Sequence, residues 1–215
     1  MCEPVRLTGV SHRYARVPSL RSVTLTLEPG TVTALVGGNG SGKSTLLGIL
    51  AGTLRPVTGT VTGTPPDVAL VPQHSSTPDL FPVSVHRTVS MGRWRRRGLL
   101  RPLTRDDRHV IDTSMARMGI TDLADRTLDE LSGGQRQRTF IAQGLAQQAP
   151  LLLLDEPLAA VDHTTVTMID AAVREECRGG TTVVVATHHR HQADSADRVV
   201  VLDHGRLVET PGRCR

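Results

Sequence analysis

No apolar run in this chain approaches the roughly 20 residues a membrane helix needs. The longest, Leu151 to Leu154 and Val183 to Ala186, span only a few residues each, so any membrane crossing is expected from another chain. The opening residues, MCEPVRLTGV, lack the basic stretch followed by an apolar stretch of a secretory leader, and the expected location is the cytoplasm. Cysteine is scarce. Cys2, Cys177 and Cys214 are odd in number and far apart, which suits reduced thiols better than disulfides or a zinc site. There is no internal repeat and no low-complexity linker. The charge imbalance is small, at +4, and only Arg93 to Arg101 concentrates it, so charge alone does not argue for nucleic acid.

What remains is the composition of an ordinary globular protein, 38% hydrophobic and 21% charged over 215 residues, enough for one domain with an insertion but not for a second full domain. Strand-like alternation covers Val5 to Tyr14 and Val23 to Leu27, and a turn at Glu28 to Gly30 leads into the apolar run Thr31 to Val36. A glycine-rich loop and a short helix, Ser44 to Ala51, follow, then strands near Gly59 to Thr62 and Val68 to Val71. From about residue 82 to 148 the pattern turns helical. Thr104 is placed to cap a helix whose first turn carries Asp106 and Asp107, with Val110, Ile111, Met115 and Met118 along one face. Short apolar runs then return at Leu151 to Leu154, Thr181 to Ala186 and Val199 to Leu202, as expected of strands buried on both faces of a mostly parallel sheet. The last residues, Leu207 to Thr210, read as an edge strand. The expected organisation is a single α/β unit, 1–215, with a helical subdomain at about 82–148 between core segments 1–81 and 149–215.

Gly37, Gly38, Asn39, Gly40, Ser41, Gly42, Lys43 and Ser44 fit the pattern G-x-x-x-x-G-K-[ST] between a predicted strand and a predicted helix. Glycines let successive backbone N–H groups turn inward on a triphosphate, and the helix N-terminus adds positive potential. Lys43 can reach the β and γ phosphates and the Ser44 hydroxyl can ligate Mg²⁺; Thr45 completes the loop. ATP is the expected ligand.

Asp155 and Glu156 stand at the end of the run Leu151 to Leu154, where open α/β sheets keep their ligand sites. Strand alternation points the two carboxylates in different directions, so they should do different work. Asp155 is the expected Mg²⁺ ligand, direct or through water, and Glu156 the group that polarises the attacking water. A solvated strand-end turn is the plain alternative.

Leu131 to Gln135 spells LSGGQ, and with it the chain resembles the ABC (ATP-binding cassette) transporter ATPases, along nearly its whole length. The resemblance implies a P-loop NTPase core of the RecA-like kind with a mostly parallel sheet, an N-terminal antiparallel β-subdomain and an inserted helical subdomain. Ser132, Gly133, Gly134 and Gln135 would then serve the γ-phosphate held by a partner subunit. That makes a head-to-tail dimer, expected to be a homodimer, with two ATP molecules at the interface. Tyr14 matches the aromatic that stacks on adenine, Gln73 the glutamine that touches Mg²⁺ and the attacking water, Asp162 the aspartate of the dimer seam, and His188 the switch histidine. Gly38, Ala159, Val161 and His189 depart from the family's commoner residues, and none of the four holds magnesium or carries out hydrolysis. A metal site at His188, His189 and His191 is discounted, because His188 already has a role and Arg190 interrupts the rest.

The resemblance further implies integral membrane permease subunits as partners, with the chain peripheral on the inner face of the cell membrane. The segment from Gln73 to Gly98 is similar to the ATPases of bacterial zinc and manganese importers, which also implies an extracytoplasmic solute-binding protein. Phe81 and Trp94 are candidate anchors for the permease. Arg93 to Arg97 could be a partner contact, a solvated face or a face near anionic lipid. Other readings are an exporter or another substrate class, a nucleic-acid-associated ABC ATPase and a metabolic P-loop kinase. The long coiled-coil insertion or second cassette of the nucleic-acid kind is missing, so no nucleic acid is expected, and a kinase has no use for Leu131 to Gln135.

Overall fold

The computed structural model describes residues 3–73, 82–97, 101–158, 162–188 and 190–208. Cys2, Phe81, Ala159, Val161, His189 and Cys214, singled out above, lie outside them. The chain forms two compact units, one made of 1–72, 150–156 and 173–215, the other of 73–149 and 157–172.

The first unit is built on two sheets. Strands β1 (Val5–Tyr14), β2 (Val17–Leu27) and β4 (Thr58–Thr62) form an antiparallel sheet in the order β2-β1-β4. Alternation along β1 buries Val5, Leu7 and Val10 while their neighbours face out. β2 begins at Val17, six residues before the apolar pattern starts at Val23. Its early residues Val17 and Pro18 are exposed, which hid the strand from a pattern based on burial.

The second sheet has the order β5-β6-β7-β3-β8-β9, formed by β5 (Val68–Val71), β6 (Leu151–Asp155), β7 (Thr182–Thr187), β3 (Val32–Val36), β8 (Arg198–Asp203) and β9 (Arg206–Val208). All neighbours run parallel except β8 and β9, which are joined by the tight turn at His204 and Gly205. Every residue of β6 and β7 is buried, as two covered faces require. Helix α1 (Lys43–Leu50) lies on this sheet through Leu46, Leu47, Ile49 and Leu50, in one cluster with Leu35, Leu153, Val184 and Leu202. The C-terminal ends of three adjacent strands, β6, β7 and β3, thus lie side by side and lead to Glu156, His188 and Gly37.

The second unit is helical: α2 (Val85–Ser90), a 3₁₀ turn (Met91–Arg93), α3 (Trp94–Arg97), α4 (Arg105–Arg117) and α5 (Gly133–Ala146). Helix α6 (His163–Arg178) begins in this unit and ends in the first. Thr104 caps α4 in a reciprocal box with Asp107, and Ser132 caps α5 in another with Gln135. Ile111, Met115 and Met118 are buried, as the helical spacing required, whereas Val110 is only half-buried.

The basic stretch behaves differently from any of its expected roles at its first residue. Arg93 is buried, its Nε donates to Asp107 Oδ1 at 2.9 Å, and its Nη1 donates to Ala146 O and Gln148 Oε1. A side chain on Gly92 would collide with Gln143 O of α5. Gly92 and Arg93 therefore lock the 3₁₀ turn against the end of α5 and the start of α4.

Candidate functional site

The loop between β3 and α1 holds its shape through its own backbone. Ser41 N donates to Gly38 O, and Gly205 N donates to Ser41 O, tying the loop to the β8–β9 turn. Gly42 sits at φ 106° as the residue before α1, and a Cβ there would come within 2.6 Å of Ser19 O. A Cβ on Gly37 would strike Leu202 O. Only glycine fits either position. No side chain caps α1, whose first N–H groups therefore stay available to an anion. At Gly38 a Cβ would meet nothing within 4 Å, so the departure from the family's commoner residue at this position opens no gap in the packing.

Lys43 is 5% exposed, and its ammonium donates to Gly37 O at 2.7 Å and Gly38 O at 3.1 Å. It also lies 3.3 Å from Glu156 Oε1. The other carboxylate oxygen of Glu156 is 2.9 Å from His188 Nδ1, and His188 is half exposed. Glu156 is itself buried, with its N–H donating to Ala186 O, and it adopts φ 48°. A left-handed backbone on a non-glycine residue costs on the order of 1–3 kcal/mol and persists where surroundings over-determine it. Here β6 ends, the chain turns, and the carboxylate is delivered between an ammonium and an imidazole. Strand alternation does not govern this pair, because β6 ends at Asp155 and Glu156 stands in the turn that follows.

Asp155 is buried, and the Ser44 hydroxyl hydrogen-bonds its carboxylate. Burial pushes its pKa above the ordinary carboxylate range; the Ser44 bond pulls back, and the charge of Glu156 adds to the rise. Its Oδ1 is buried without a hydrogen-bond partner. A hydroxyl and an under-satisfied carboxylate side by side form the hard oxygen set that suits Mg²⁺.

Tyr14 is 53% exposed, with its ring edge-on to His12 at 4.8 Å. Its hydroxyl is 3.5 Å from Thr45 Oγ1, which also bonds Ser19 Oγ at 2.6 Å. His12 and Ser19 were not legible as site neighbours, since no motif contains them and only the fold brings β1, β2 and α1 together.

In the second unit, Ser132, Gly133, Gly134 and Gln135 form the start of α5. Ser132 Oγ accepts from Gln135 N, and Gln135 Oε1 accepts from Ser132 N. Ser132 and Gly133 are exposed, and Cβ atoms on Gly133 or Gly134 would meet nothing within 4 Å. Gln73 is exposed at the unit's first residue. Asp162 is exposed, accepting from Thr165 N at 2.7 Å, and that bond and a second to the Thr165 side chain hold its pKa low. The structure thus brings Gly37 to Thr45, Asp155, Glu156, His188 and Tyr14 together within the first unit, while Gln73, Ser132 to Gln135 and Asp162 belong to the second.

A phosphate loop, a buried carboxylate pair and a strand-end histidine on a mostly parallel sheet define a nucleotide-hydrolysing cassette. The ABC transporter family model matches residues 20–159. The manganese transport system ATP-binding protein MntA of Synechocystis is 41% identical over 86% of this chain and 75% of its own length. The hemin import ATP-binding protein HmuV of Streptomyces coelicolor is 41% identical over 89% of this chain and 71% of its own. Among solved structures, a dimeric bacterial ABC transporter cassette superposes with a TM-score of 0.83 at 25% identity, covering 95% of this chain and 97% of that one. This chain belongs to the ABC transporter family, as an ATP-binding, ATP-hydrolysing subunit. Cassettes of this family dimerise and work with membrane permease subunits. Among the described residues no helix is long and apolar enough to cross a membrane.

Proposed function

We propose that this chain powers the import of a divalent transition metal, manganese or zinc, by hydrolysing Mg²⁺-ATP in a dimer that sandwiches each nucleotide between two copies. The cluster of Lys43, Glu156 and His188 carries this reading, because it joins a buried cation, a buried base and a half-exposed imidazole in one chain of contacts. The manganese relative supports the substrate class.

Binding begins at the loop. Backbone N–H groups of residues 38–45 receive the phosphates, and Lys43 exchanges the carbonyls of Gly37 and Gly38 for phosphate oxygens. Tyr14 offers its exposed face to the adenine ring, held upright by His12. Ser44 and Asp155 would hold the magnesium ion, with Gln73 as a further ligand; when bound, it neutralises charge on the phosphates. Once Lys43 turns to phosphate, Glu156 loses its cationic neighbour and is freed to orient water and accept its proton. His188, held by Glu156 Oε2, reaches the γ-phosphate.

The second half of the site comes from the partner copy. Glycine in a helix is disfavoured by about 0.5–1 kcal/mol relative to alanine. Among the described residues nothing requires it at Gly133 or Gly134, neither a positive φ nor a close neighbour. Close approach from outside explains both, with Ser132 and the N–H groups of Gly133 and Gly134 presented to a phosphate and Gln135 beside them. Asp162 joins the seam between the copies. The assembly sits on the inner face of the membrane on its permease and receives cargo from an extracytoplasmic solute-binding protein.

The hemin relative supports a second reading, in which the cargo is a metal chelate. One experiment separates them. Cells lacking this subunit are complemented with wild type or Glu156→Gln, and uptake of manganese, zinc and hemin is measured in parallel. Restoration of manganese or zinc uptake by wild type alone supports the metal reading. Restoration of hemin uptake alone transfers it to the chelate, and restoration by Glu156→Gln contradicts ATP-driven import.

A further inference from the structure

A broad groove in the first unit borders the nucleotide site at His12, the ring beside Tyr14, but no residue of 37–45, 155–156 or 188 lines it. It has a volume of about 1980 Å³ and runs between the β1–β2 hairpin, the last turns of α6 and strands β8 and β9. Small-ligand pockets run to roughly 300–1,000 Å³, so the space is wrong for a metabolite and right for a stretch of polypeptide.

Its chemistry is two-toned. Six arginines line it, Arg13, Arg21, Arg174, Arg178, Arg198 and Arg206, against two aspartates, Asp194 and Asp197. Asp197 is already engaged, accepting from Val32 N at 2.8 Å, and Arg198 donates to Thr26 O at 2.7 Å. The other five arginines make no side-chain hydrogen bond and no ion pair among the described residues. Between them Leu25, Val199 and Leu207 line the groove beside the polar Ser11, Ser22 and Thr24. Val57 and Val208, 54% and 49% exposed, are two of the four large hydrophobic residues left exposed among the described residues, and both face this groove. Like charges gathered around exposed valines oppose one another and leave hydrophobic area in water, and both penalties end when a complementary segment docks.

We propose that this groove docks an acidic amphipathic helix of a partner protein, its apolar stripe on Val57 and Val208 and its carboxylates on the arginines. Charge selects this occupant over those nearer to hand. Residues 209–215 of the chain carry two arginines and one glutamate, the wrong sign, and a second copy brings the same +4 excess. A helix is about 10–12 Å across, which a groove of this volume accommodates over several turns. Arginine, with its planar fork, is the side chain best suited to pairing with carboxylates while its stem packs on apolar surface.

The test uses the full chain and three fluorescein-labelled 18-residue peptides: an amphipathic Glu/Leu helix, its Lys/Leu counterpart, and a scrambled Glu/Leu sequence with no apolar stripe. Binding is read by fluorescence anisotropy. The Glu/Leu helix should bind at least tenfold more tightly than either control. The Arg21→Glu/Arg174→Glu/Arg178→Glu variant should lose at least tenfold of that affinity with ATP turnover unchanged, and Val57→Asp should weaken it as well. Equal binding of the scrambled peptide would reduce the groove to a nonspecific basic field and overturn the proposal. So would undiminished binding by both variants, or a tenfold gain on ending the chain at Val208, which would make residues 209–215 the occupant.

Discussion

Arg93 Nε and Asp107 Oδ1 meet at 2.9 Å with both side chains at least nine-tenths buried. The same Asp107 accepts from the Thr104 hydroxyl and N–H, and the same Arg93 holds the carbonyl of Ala146 at the end of α5. One ion pair therefore closes the start of one helix onto the end of another. Removing one member of a buried pair leaves the other charge uncompensated and typically destabilises by about 3–5 kcal/mol. Arg93→Met should lower stability by about that amount in urea unfolding. The double variant Arg93→Met/Asp107→Leu should recover part of the loss. A single variant within 0.5 kcal/mol of wild type, the scale of an ordinary surface change, would show that the pair does not hold these helices.

Gly133 gives a test in which monomer stability and function move in opposite directions. With open space where its Cβ would stand, Gly133→Ala should stabilise the isolated chain by about 0.5–1 kcal/mol through helix propensity. ATP-driven dimerisation should weaken at the same time, because in the proposed dimer the added methyl group would face the partner's nucleotide. Denaturant unfolding and sizing chromatography with ATP read the two effects separately. A variant that dimerises as well as wild type would argue that nothing approaches this helix start.

Asp155 carries a pH prediction. Its carboxyl titrates above the ordinary range because burial outweighs the Ser44 bond, so the folded chain binds that proton more tightly than the unfolded chain. Its contribution to nucleotide-free stability is therefore fully present below the unfolded carboxylate range, about pH 4, and is lost as pH rises through the raised value. Asp155→Asn cannot ionise and should show a flatter decline in Tm between pH 4 and 7, a higher Tm than wild type at pH 7, and no ATP turnover. Parallel Tm profiles for the two proteins would remove the burial argument.

Much of the site was legible because its chemistry is written in contiguous residues. The phosphate loop and the carboxylate pair each combine a residue pattern with flanking elements and a physical reason for their chemistry, whereas Leu131 to Gln135 was read through its resemblance to the ABC family. The parallel sheet was legible in β6 and β7, where two covered faces demand unbroken apolar runs. What escaped was whatever depends on distant segments meeting. Nothing near Arg93 signals Asp107, 14 residues on, as its partner, and a run of arginines ordinarily reads as a solvated face. The left-handed turn at Glu156 escaped as well, because glutamate carries no signature of positive φ. The start of β2 was invisible for a third reason: its exposed residues leave no burial pattern to read.

The two-copy nucleotide site is tested most directly by the mass of Glu156→Gln in solution. Retaining ATP without turnover, this variant should pass on a sizing column with light scattering from 23.2 kDa to twice that mass when ATP and Mg²⁺ are added. It should return to the monomer when ATP is replaced by ADP. A variant that stays monomeric at saturating ATP, or that hydrolyses ATP at the wild-type rate, would contradict the account.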